Sequence, residues 1–336
     1  MPRSEHSNIS IFIPHIGCPH RCSFCDQRTI SGEQDLPDGE YVKEVCEKAL
    51  GEVKSPENTE IAFFGGSFTA IPVDYMTELL EAAHGYLGEG KFAGIRCSTR
   101  PDCIDDRILR KLKGYGVTAI ELGAQSMDDE VLRLNERGHT AQDVVNACGL
   151  IRGYGFELGL QMMTGLYGSS PEKDMYTAER IVSLRPDTVR IYPTVVLRGT
   201  ALAVLYSAGK YPMMPLEEMA ELCGKLMELF HREDIAVIKC GLHASESVEK
   251  DMVAGYYHPA FREMCEMYVY RRMIEQSLEH SSHKSGAVTV EVNDRCISRA
   301  VGQKKANIEF FRSKGFDISI KGNSDIPMYE CRIIQN

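Results

Sequence analysis

The sequence predicts an α/β protein whose main part is a partial or complete (β/α) barrel. The first observation is that apolar strands and helical segments alternate about seven times, which is typical of a parallel sheet covered by helices. The second is that most of these strands are apolar along their whole length, as expected for strands buried on both faces. The third is that polar motifs directly follow several strands, and the carboxyl ends of barrel strands share one rim.

The predicted barrel occupies residues 1–260 and starts with an apolar, β-branched strand that Pro14 ends. Gly114 is a plausible helix C-cap, and Pro186 separates a helix from the strand after it. The length and the number of repeats fit a TIM-like barrel better than an open sheet. The strands are predicted at residues 8–13, 59–64, 94–98, 117–122, 156–162, 187–192 and 235–239. The helices are predicted at residues 38–54, 72–88, 103–114, 127–135, 140–153, 171–184 and 215–231.

The last part of the chain has a different pattern. Residues 261–285 are predicted to contain a helix, near 260–279, and a linker of serine, histidine and lysine at 280–285. Residues 286–336 contain strand-like runs at 288–292 and 316–321 with a helical segment between them. They are therefore predicted to form a small α+β appendage.

Composition narrows the class of protein. Hydrophobic residues make up 43% of the chain, and the net charge of −10 argues against non-specific binding to nucleic acid. No apolar run is long enough to cross a membrane, and the first residues lack the apolar segment of a signal peptide. Most of the 12 cysteines are scattered singly, as buried residues of a reduced protein would be. We therefore expect a cytoplasmic protein that makes no membrane contact.

Three cysteines stand apart from the others because Cys18, Cys22 and Cys25 form a C-x3-C-x2-C motif just after the first predicted strand. Thiolates are the soft ligands that zinc and iron–sulfur clusters select. Three of them leave one coordination position of a metal centre open, which suits catalysis better than structure. A zinc site completed by His15 or His20 is the alternative.

The cysteine motif resembles the signature of the radical S-adenosylmethionine (SAM) superfamily, in which an aromatic residue, here Phe24, precedes the last cysteine. The resemblance implies a [4Fe–4S] cluster on the three thiolates, with SAM at the open iron. One electron would cleave SAM to a 5′-deoxyadenosyl radical that abstracts a substrate hydrogen. Segments at 12–18, 24–27, 63–69, 98–102, 121–126 and 190–194 are similar to a bacterial branch related to the radical domain of the elongator acetyltransferase subunit.

The resemblance also implies a SAM site on the rim of the barrel. Glycines at a strand end let the backbone approach a ligand closely, and the guanidinium of Arg100 matches a carboxylate. Many members of the family carry an acidic residue where this chain has Ser67. For the rim polar residues the alternative is hydrogen-bonded packing inside the barrel, and for Glu121 it is a structural ion pair with an arginine. The expected SAM-binding residues are Gly65, Gly66, Ser67, Ser98, Arg100, Gln125, Gln161 and Arg190.

The substrate is expected at the ends of the last strands and in the loops beyond them, where a lid can form. Tyr192 and Tyr256 are candidates to stack on a purine-like base, and Glu246 to bind its guanidine face. His243 and His258 lie in glycine-containing loops, although a lone histidine is more often a surface or core residue. The predicted catalytic residues are Tyr192, His243, Glu246 and His258.

Residues 296–314, in the tail, resemble a KH RNA-binding module, whose G-x-x-G loop clamps a nucleic-acid backbone. Lys305 occupies the second glycine position, and the surrounding sequence is basic. The alternative is a degenerate module kept for packing or for dimerisation. RNA is therefore a partner that the sequence allows but does not favour.

The function favoured from the sequence is a radical SAM lyase that cleaves a carbon–nitrogen or carbon–carbon bond of queuine, a 7-deazaguanine base, in queuosine salvage. This activity belongs to the same branch, and no room for an acetyltransferase domain is expected after residue 260. The expected partners are this small-molecule substrate, an electron donor such as flavodoxin or ferredoxin, and a second copy in a homodimer. The alternatives are a tRNA-modifying radical SAM enzyme guided by the KH-like tail and a ferredoxin-like or zinc-binding structural protein.

Overall fold

The core of the protein is one sheet of seven parallel strands, in which each strand lies beside the next one of the barrel repeat. The computed structural model describes residues 7–334 except 15, 17, 19–21, 27–28, 31–34, 244 and 282–283. The strands are β1 Ser7–Ile13, β2 Thr59–Gly65, β3 Gly94–Thr99, β4 Val117–Gln125, β5 Glu157–Thr164, β6 Thr188–Pro193 and, after a short β7 Val195–Leu197 outside the sheet, β8 Ala236–Cys240. All seven predicted strands are confirmed. Because β1 and β8 are the two outer strands, the barrel is partial.

Most of the helices that alternate with these strands begin where the sequence supplies a capping side chain. Asp38, Asp105, Thr140 and Ser170 each accept a hydrogen bond from a backbone N–H of the helix that follows. This satisfies donors that the first helical turn leaves unpaired. The helices are α1 Gly39–Glu52, α2 Val73–His84, α3 Asp106–Gly114, α4 Asp129–Leu134, α5 Ala141–Gly153, α6 Pro171–Ser183, α7 Ala201–Ser207 and α8 Leu216–Arg232.

One buried arginine links four strands of the sheet. Arg96 on β3 is 1% exposed, and its Nε and Nη2 lie 2.7 and 2.9 Å from carboxylate oxygens of Glu60 and Glu157. Its Nη1 lies 3.5 Å from Glu121 Oε1 on β4. A buried guanidinium requires such partners, because an unpaired charge away from water is very unfavourable.

A second layer of structure follows the barrel. After α9 Glu246–Asp251, β9 Met252–Gly255 pairs antiparallel with β7. Helix α10 Phe261–Glu279 then packs against α8 and also contributes Tyr270, Ile274 and Leu278 to a separate core under the tail. Across the described residues, no helix combines the length and apolarity that crossing a bilayer requires.

The tail forms the predicted small α+β unit. Its strand β10 Gly286–Val292 lies between β11 Phe316–Gly322, which is parallel to it, and β12 Cys331–Ile334, which is antiparallel. Helices α11 Ile297–Val301 and α12 Ala306–Ser313 lie between β10 and β11 along the chain. Because α10 packs against both the barrel and this unit, the boundaries at residues 260 and 285 stay a prediction.

Much of the positive charge predicted for the tail is neutralised within the protein. Arg299 lies 2.8 Å from Glu266, Arg312 lies 2.5 Å from Glu309, and Lys314 lies 2.5 Å from Glu275. Lys304 and Lys305 are exposed in the turn between α11 and α12. These two lysines are therefore the exposed charges that the turn presents to solvent.

Replacing Lys305 by glycine is expected to stabilise the fold by about 1 kcal/mol. Lys305 has a left-handed backbone, with a φ of 62°. This conformation costs an L-residue about 1–2 kcal/mol, whereas glycine adopts it freely. The greater freedom of glycine in the unfolded chain offsets part of this gain. The free energy of unfolding in urea measures the change. Lys305→Ala removes the same charge but keeps the strained backbone, so an equal gain in that variant would contradict the explanation.

Candidate functional site

A cavity of about 490 Å³ opens at the carboxyl ends of the strands. Its walls include the aromatic side chains of Phe12, Phe24 and Phe64. The predicted site residues that line it are Cys25, Gly65, Ser98, Gln125, Gln161, Arg190, Tyr192 and His243. The lining does not include Cys18, Cys22, Gly66, Ser67, Arg100, Glu246 or His258.

The cysteine loop, residues 18–25, carries three partly exposed thiols, and Cys25 lines this cavity. Burial raises the pKa of Cys18, and this is opposed by a backbone hydrogen bond at Ser67 and by two arginines, Arg100 and Arg137. Three thiolates on one short loop are the donor set of an iron–sulfur cluster with one open iron. The residues present thus fit the group, whereas His15 and His20, which the zinc alternative requires, lie outside the described residues.

Arg137 is a site residue that sequence reasoning missed. Its Nη1 donates to the Sγ of Cys22 over 3.0 Å, and its Nη2 donates to the carbonyl oxygen of Gly123 over 2.8 Å. N–H···S bonds and nearby positive charge are among the factors that set the potential of a cluster. The signal in the sequence was faint: a short polar loop with one glycine between two predicted helices.

Arg100, directly after strand β3, supports the backbone of Arg137. Its Nε and Nη2 each donate over 2.9 Å to the carboxylate of Asp102, and Nη2 also donates to the carbonyl oxygen of Arg137. Its buried Nη1 has no partner among the described residues. The bidentate match expected with a SAM carboxylate is therefore made with Asp102, and Nη1 is the donor that remains for a ligand.

The loop that carries Arg137 is also tied to the cysteine loop. The Oγ of Ser23 donates to the Oδ1 of Asn135 over 2.9 Å, and the N–H of Ser23 donates to the carbonyl of Asn135 over 3.1 Å. The amide of Asn135 donates in turn to the carbonyl of Tyr167. Because Ser23 and Asn135 are both buried, these bonds hold the turn between Cys22 and Cys25 in one position.

Stability is expected to fall as the pH falls from about 6.5 to about 4, because burial and the nearby charges of Arg137 and Arg100 lower the pKa of His139 to about 4 from its usual 6.5. In this window the unfolded chain binds a proton that the folded chain excludes, so the loss approaches about 3 kcal/mol. In the folded protein the Nε2 of the His139 ring forms a hydrogen bond with the carbonyl of Ala124. His139→Gln keeps a donor but cannot titrate, so urea unfolding at several pH values should show a flatter profile. An unchanged slope would contradict this account.

Two glycines fix how closely β1 and β2 approach. Gly65 has a φ of +111°, and a Cβ there would lie 2.6 Å from the carbonyl oxygen of Ile13. A Cβ on Gly66 would lie 2.6 Å from the carbonyl oxygen of Ile16 and 3.6 Å from the Sγ of Cys18. The fold itself thus requires both glycines, and of the two only Gly65 has a positive φ.

A charged network runs from the sheet interior into the cavity. Glu121, 1% exposed, accepts from Arg190 Nη2 over 2.7 Å and from Gln161 Nε2 over 2.8 Å. Gln161 also donates to the Oγ of Ser98 over 3.1 Å. Ser98 and Gln161 thus make the hydrogen-bonded packing considered as their alternative, and Arg190 supplies the ion pair considered for Glu121.

Gln125 differs from those rim residues. It lies at the end of β4 with a left-handed backbone, φ 64°, and its buried Oε1 has no hydrogen-bond partner among the described residues. A buried amide oxygen without a partner is unfavourable. Since Gln125 lines the cavity, an ammonium or hydroxyl group of a bound cofactor would satisfy it.

The far wall of the cavity carries the predicted substrate side. Burial raises the pKa of Tyr192, and the guanidinium of Arg190 lies 4.9 Å from the centre of the Phe64 ring. Burial and the neighbouring Lys239 lower the pKa of His243, whose ring stacks on Phe12. Cations and aromatic rings together suit a planar, negatively charged substrate.

The other candidates on this side lie outside the lining of the cavity. His258 accepts from the N–H of Ala260 at the start of α10 over 3.0 Å, and Glu246 is exposed at the start of α9. Tyr256 is buried, and its hydroxyl accepts from the N–H of Met214. Glu246, His258 and Tyr256 do not line the cavity, so the catalytic roles of Glu246 and His258 and the stacking role of Tyr256 stay predictions.

Comparison with curated proteins finds relatives that the chain matches over part of their length. The tRNA uridine(34) acetyltransferase of Dehalococcoides mccartyi is 27% identical over 255 residues, which is 66% of this chain and 56% of that protein. Human Elongator complex protein 3 is 31% identical over 202 residues, 54% of this chain and 37% of that protein. The chain thus spans about half of the length of the first of these curated relatives and less of the second.

Solved structures share the fold. Archaeal Elp3 of Methanocaldococcus infernus, with residues 1–46 deleted, superposes with a TM-score of 0.62 at 20% identity, over 82% of this chain and 64% of that one. SuiB of Streptococcus suis gives a TM-score of 0.51 at 12% identity, over 71% and 50% of the two chains. At these identities the likeness concerns the fold alone.

Two family models match the chain in sequence. The model of the radical SAM C-terminal domain matches residues 186–271, which include β6, β8 and the cavity wall with Arg190, Tyr192 and His243. The model of the radical SAM superfamily matches residues 12–181, about half of the chain and the part that holds the cysteine loop. The cofactors of that superfamily are a [4Fe–4S] cluster and SAM, which the three-cysteine donor set fits. The chain therefore belongs to the radical SAM superfamily.

Proposed function

We propose that this protein is a radical SAM enzyme that modifies a nucleoside of tRNA. The observation that carries the proposal is the cavity, which joins Cys25 on one wall to Arg190, Lys239 and the ring of Phe64 on the other. Aromatic rings and cations are the groups that proteins use to hold an unstacked base and its phosphate. Relatives named as tRNA uridine(34) acetyltransferases support tRNA as the substrate class.

In this proposal the residues around the cavity have distinct tasks. Cys18, Cys22 and Cys25 hold the cluster, and Arg137 and Arg100 stabilise its thiolates through hydrogen bonding and charge. When bound, the cluster and SAM supply a 5′-deoxyadenosyl radical. The protein contributes binding, orientation and exclusion of water, so that the radical meets the substrate and not solvent.

Two groups are assigned to the bound cofactor. The unpartnered Oε1 of Gln125 accepts from an amino or hydroxyl group of SAM, and the backbone of Gly65, which also lines the cavity, contacts the cofactor. Tyr192, Lys239 and His243, in the lining of the same cavity, bind the substrate. Burial and then Arg190 and Arg262 lower the pKa of Lys239, and an anionic group of the substrate beside it would favour its charged form.

The competing hypothesis from the sequence, a lyase acting on free queuine, receives no support from the relatives found, whose names concern tRNA uridine or Elongator.

Lys304 and Lys305, exposed in the KH-like turn, are available to bind an RNA backbone. The electron donor and the homodimer stay predictions.

The test compares substrates under anaerobic conditions. The full chain is reconstituted with iron and sulfide, reduced with dithionite, and given SAM with bulk tRNA, with queuine or with neither. We expect tRNA alone to raise 5′-deoxyadenosine formation several-fold, and mass spectrometry of digested tRNA to show a changed nucleoside. Turnover with queuine and none with tRNA would overturn the proposal and support the lyase.

The tail is tested in the same assay. Lys304→Glu together with Lys305→Glu should raise KM for tRNA and leave kcat unchanged, since phosphate contacts position the substrate without taking part in the reaction. Lys43→Glu, on an exposed part of α1, is the matched control for a change of charge. An equal KM for tRNA in the wild type, the double variant and Lys43→Glu would exclude the tail from RNA binding.

A further inference from the structure

Three cysteines outside the cysteine loop meet in the core behind the cavity wall. They are Cys223 on α8, Cys240 at the end of β8 and Cys265 on α10. Their sulfurs all lie within 4.8 Å of one another, and those of Cys240 and Cys265 are 3.8 Å apart. Because they are far apart in sequence, the pattern predicted only single buried cysteines. We propose that these three thiols form a second metal site, which takes one thiophilic ion such as Zn²⁺.

The spacing of the sulfurs fits one ion. Zinc binds thiolate sulfur at about 2.3 Å with tetrahedral angles, so two sulfurs on one ion lie about 3.8 Å apart. The separation of 3.8 Å between Cys240 and Cys265 matches this value. All three residues are at most 4% exposed, so an ion held there would be shielded from water, as in structural sites.

Two further side chains are available as a fourth donor. The Sδ of Met219, one turn before Cys223 on α8, lies 3.9 Å from the Cys223 sulfur. The Oγ1 of Thr164, at the end of β5, lies 3.6 Å from the same sulfur. Three thiols and a thioether form a soft donor set, which selects zinc or copper(I) over magnesium or calcium.

The charge of an occupied site follows from its ligands. A bound Zn²⁺ would replace the three thiol protons and leave one net negative charge. The guanidinium of Arg262, which donates to the carbonyl oxygen of Val237 on β8, carries the opposite charge, although it is also paired with Glu266 over 3.0 Å.

The position of the site gives it a structural task. Strand β8 is an outer strand of the sheet, with β6 as its only neighbour there, and it carries Lys239 into the cavity next to Cys240. An ion on the three sulfurs would join this strand to α8 and α10. The inference does not depend on the substrate of the enzyme.

The test uses the full chain with Cys18→Ala, Cys22→Ala and Cys25→Ala, so that the cysteine loop cannot bind metal. After incubation with zinc and gel filtration, elemental analysis should find one zinc ion per chain. Adding Cys240→Ala should remove it. Adding Cys148→Ala, which alters a buried cysteine on α5, should not.

A second measurement leaves the three cysteines intact and so does not depend on the folding of a core variant. Co²⁺ added to the same background should give thiolate-to-cobalt charge-transfer absorption and the d–d bands of tetrahedral cobalt, and zinc should raise Tm. A background protein that binds no zinc, shows no such bands and keeps its Tm would overturn the inference. Equal metal loss with Cys148→Ala would do the same.

Discussion

Cys22→Ala is expected to abolish cleavage of SAM, because it removes one of only three thiolates available to the cluster and the acceptor of the Arg137 N–H bond. A cluster with two thiolates from this loop lacks its third protein ligand. The guanidinium of Arg137 also loses the negative charge of the Cys22 thiolate. Iron content, the visible absorption of the reconstituted protein and 5′-deoxyadenosine formation measure the effect. All three should fall to background.

The matched control is Cys46→Ala, at a buried cysteine of α1 that does not line the cavity. This variant should keep its iron and its turnover, with only the modest destabilisation that a small core deletion causes. If Cys22→Ala retained a full cluster and formed 5′-deoxyadenosine at the wild-type rate, the assignment of the three ligands would be wrong.

Arg96→Met is expected to destabilise the fold by about 3–5 kcal/mol, the range measured when one partner of a buried ion pair is removed. Methionine fills similar space but leaves the carboxylates of Glu60 and Glu121, whose side chains are 7% and 1% exposed, without the charge between them. Domains are commonly stable by only about 5–15 kcal/mol, so the variant should be close to unfolding. Urea denaturation measures the difference.

An exposed ion pair serves as the control for Arg96. Lys43→Met removes a pair with Glu40 whose side chains are 47% and 78% exposed, and such pairs contribute about 0–1 kcal/mol. The comparison separates the effect of burial from the loss of a positive charge. A cost below about 1 kcal/mol for Arg96→Met would show that the network of Glu60, Glu121 and Glu157 does not require its guanidinium.

Elements whose pattern is local were predictable from the sequence. The seven strands of the sheet could be predicted because apolar, β-branched runs alternate with helical segments, and the cysteine loop because its spacing lies within eight residues. The antiparallel pair β7 and β9 and the short β12 were missed. Each has only three or four residues, and such short strands form because a partner strand lies beside them.

The site was predictable only where its residues are close in sequence. Arg137 contacts Cys22 across more than a hundred residues of chain, and the contact of Cys223, Cys240 and Cys265 depends on how α8, β8 and α10 pack. No periodicity records such contacts. The pairing of Ser98 and Gln161 with the Glu121 network likewise depends on strand register, which sequence motifs do not specify.

The close approach at Gly65 and Gly66 sets the length of the segment before Cys18. Ile13 pairs in register with Gly65, and the carbonyl of Ile16 lies where any side chain on Gly66 would have to be. Ile13, Ile16 and Cys18 are therefore placed by their contacts with β2. We expect an insertion or deletion of one residue before Cys18 to move its thiol relative to the other two, so the length of this part of the chain should matter more than in most surface loops.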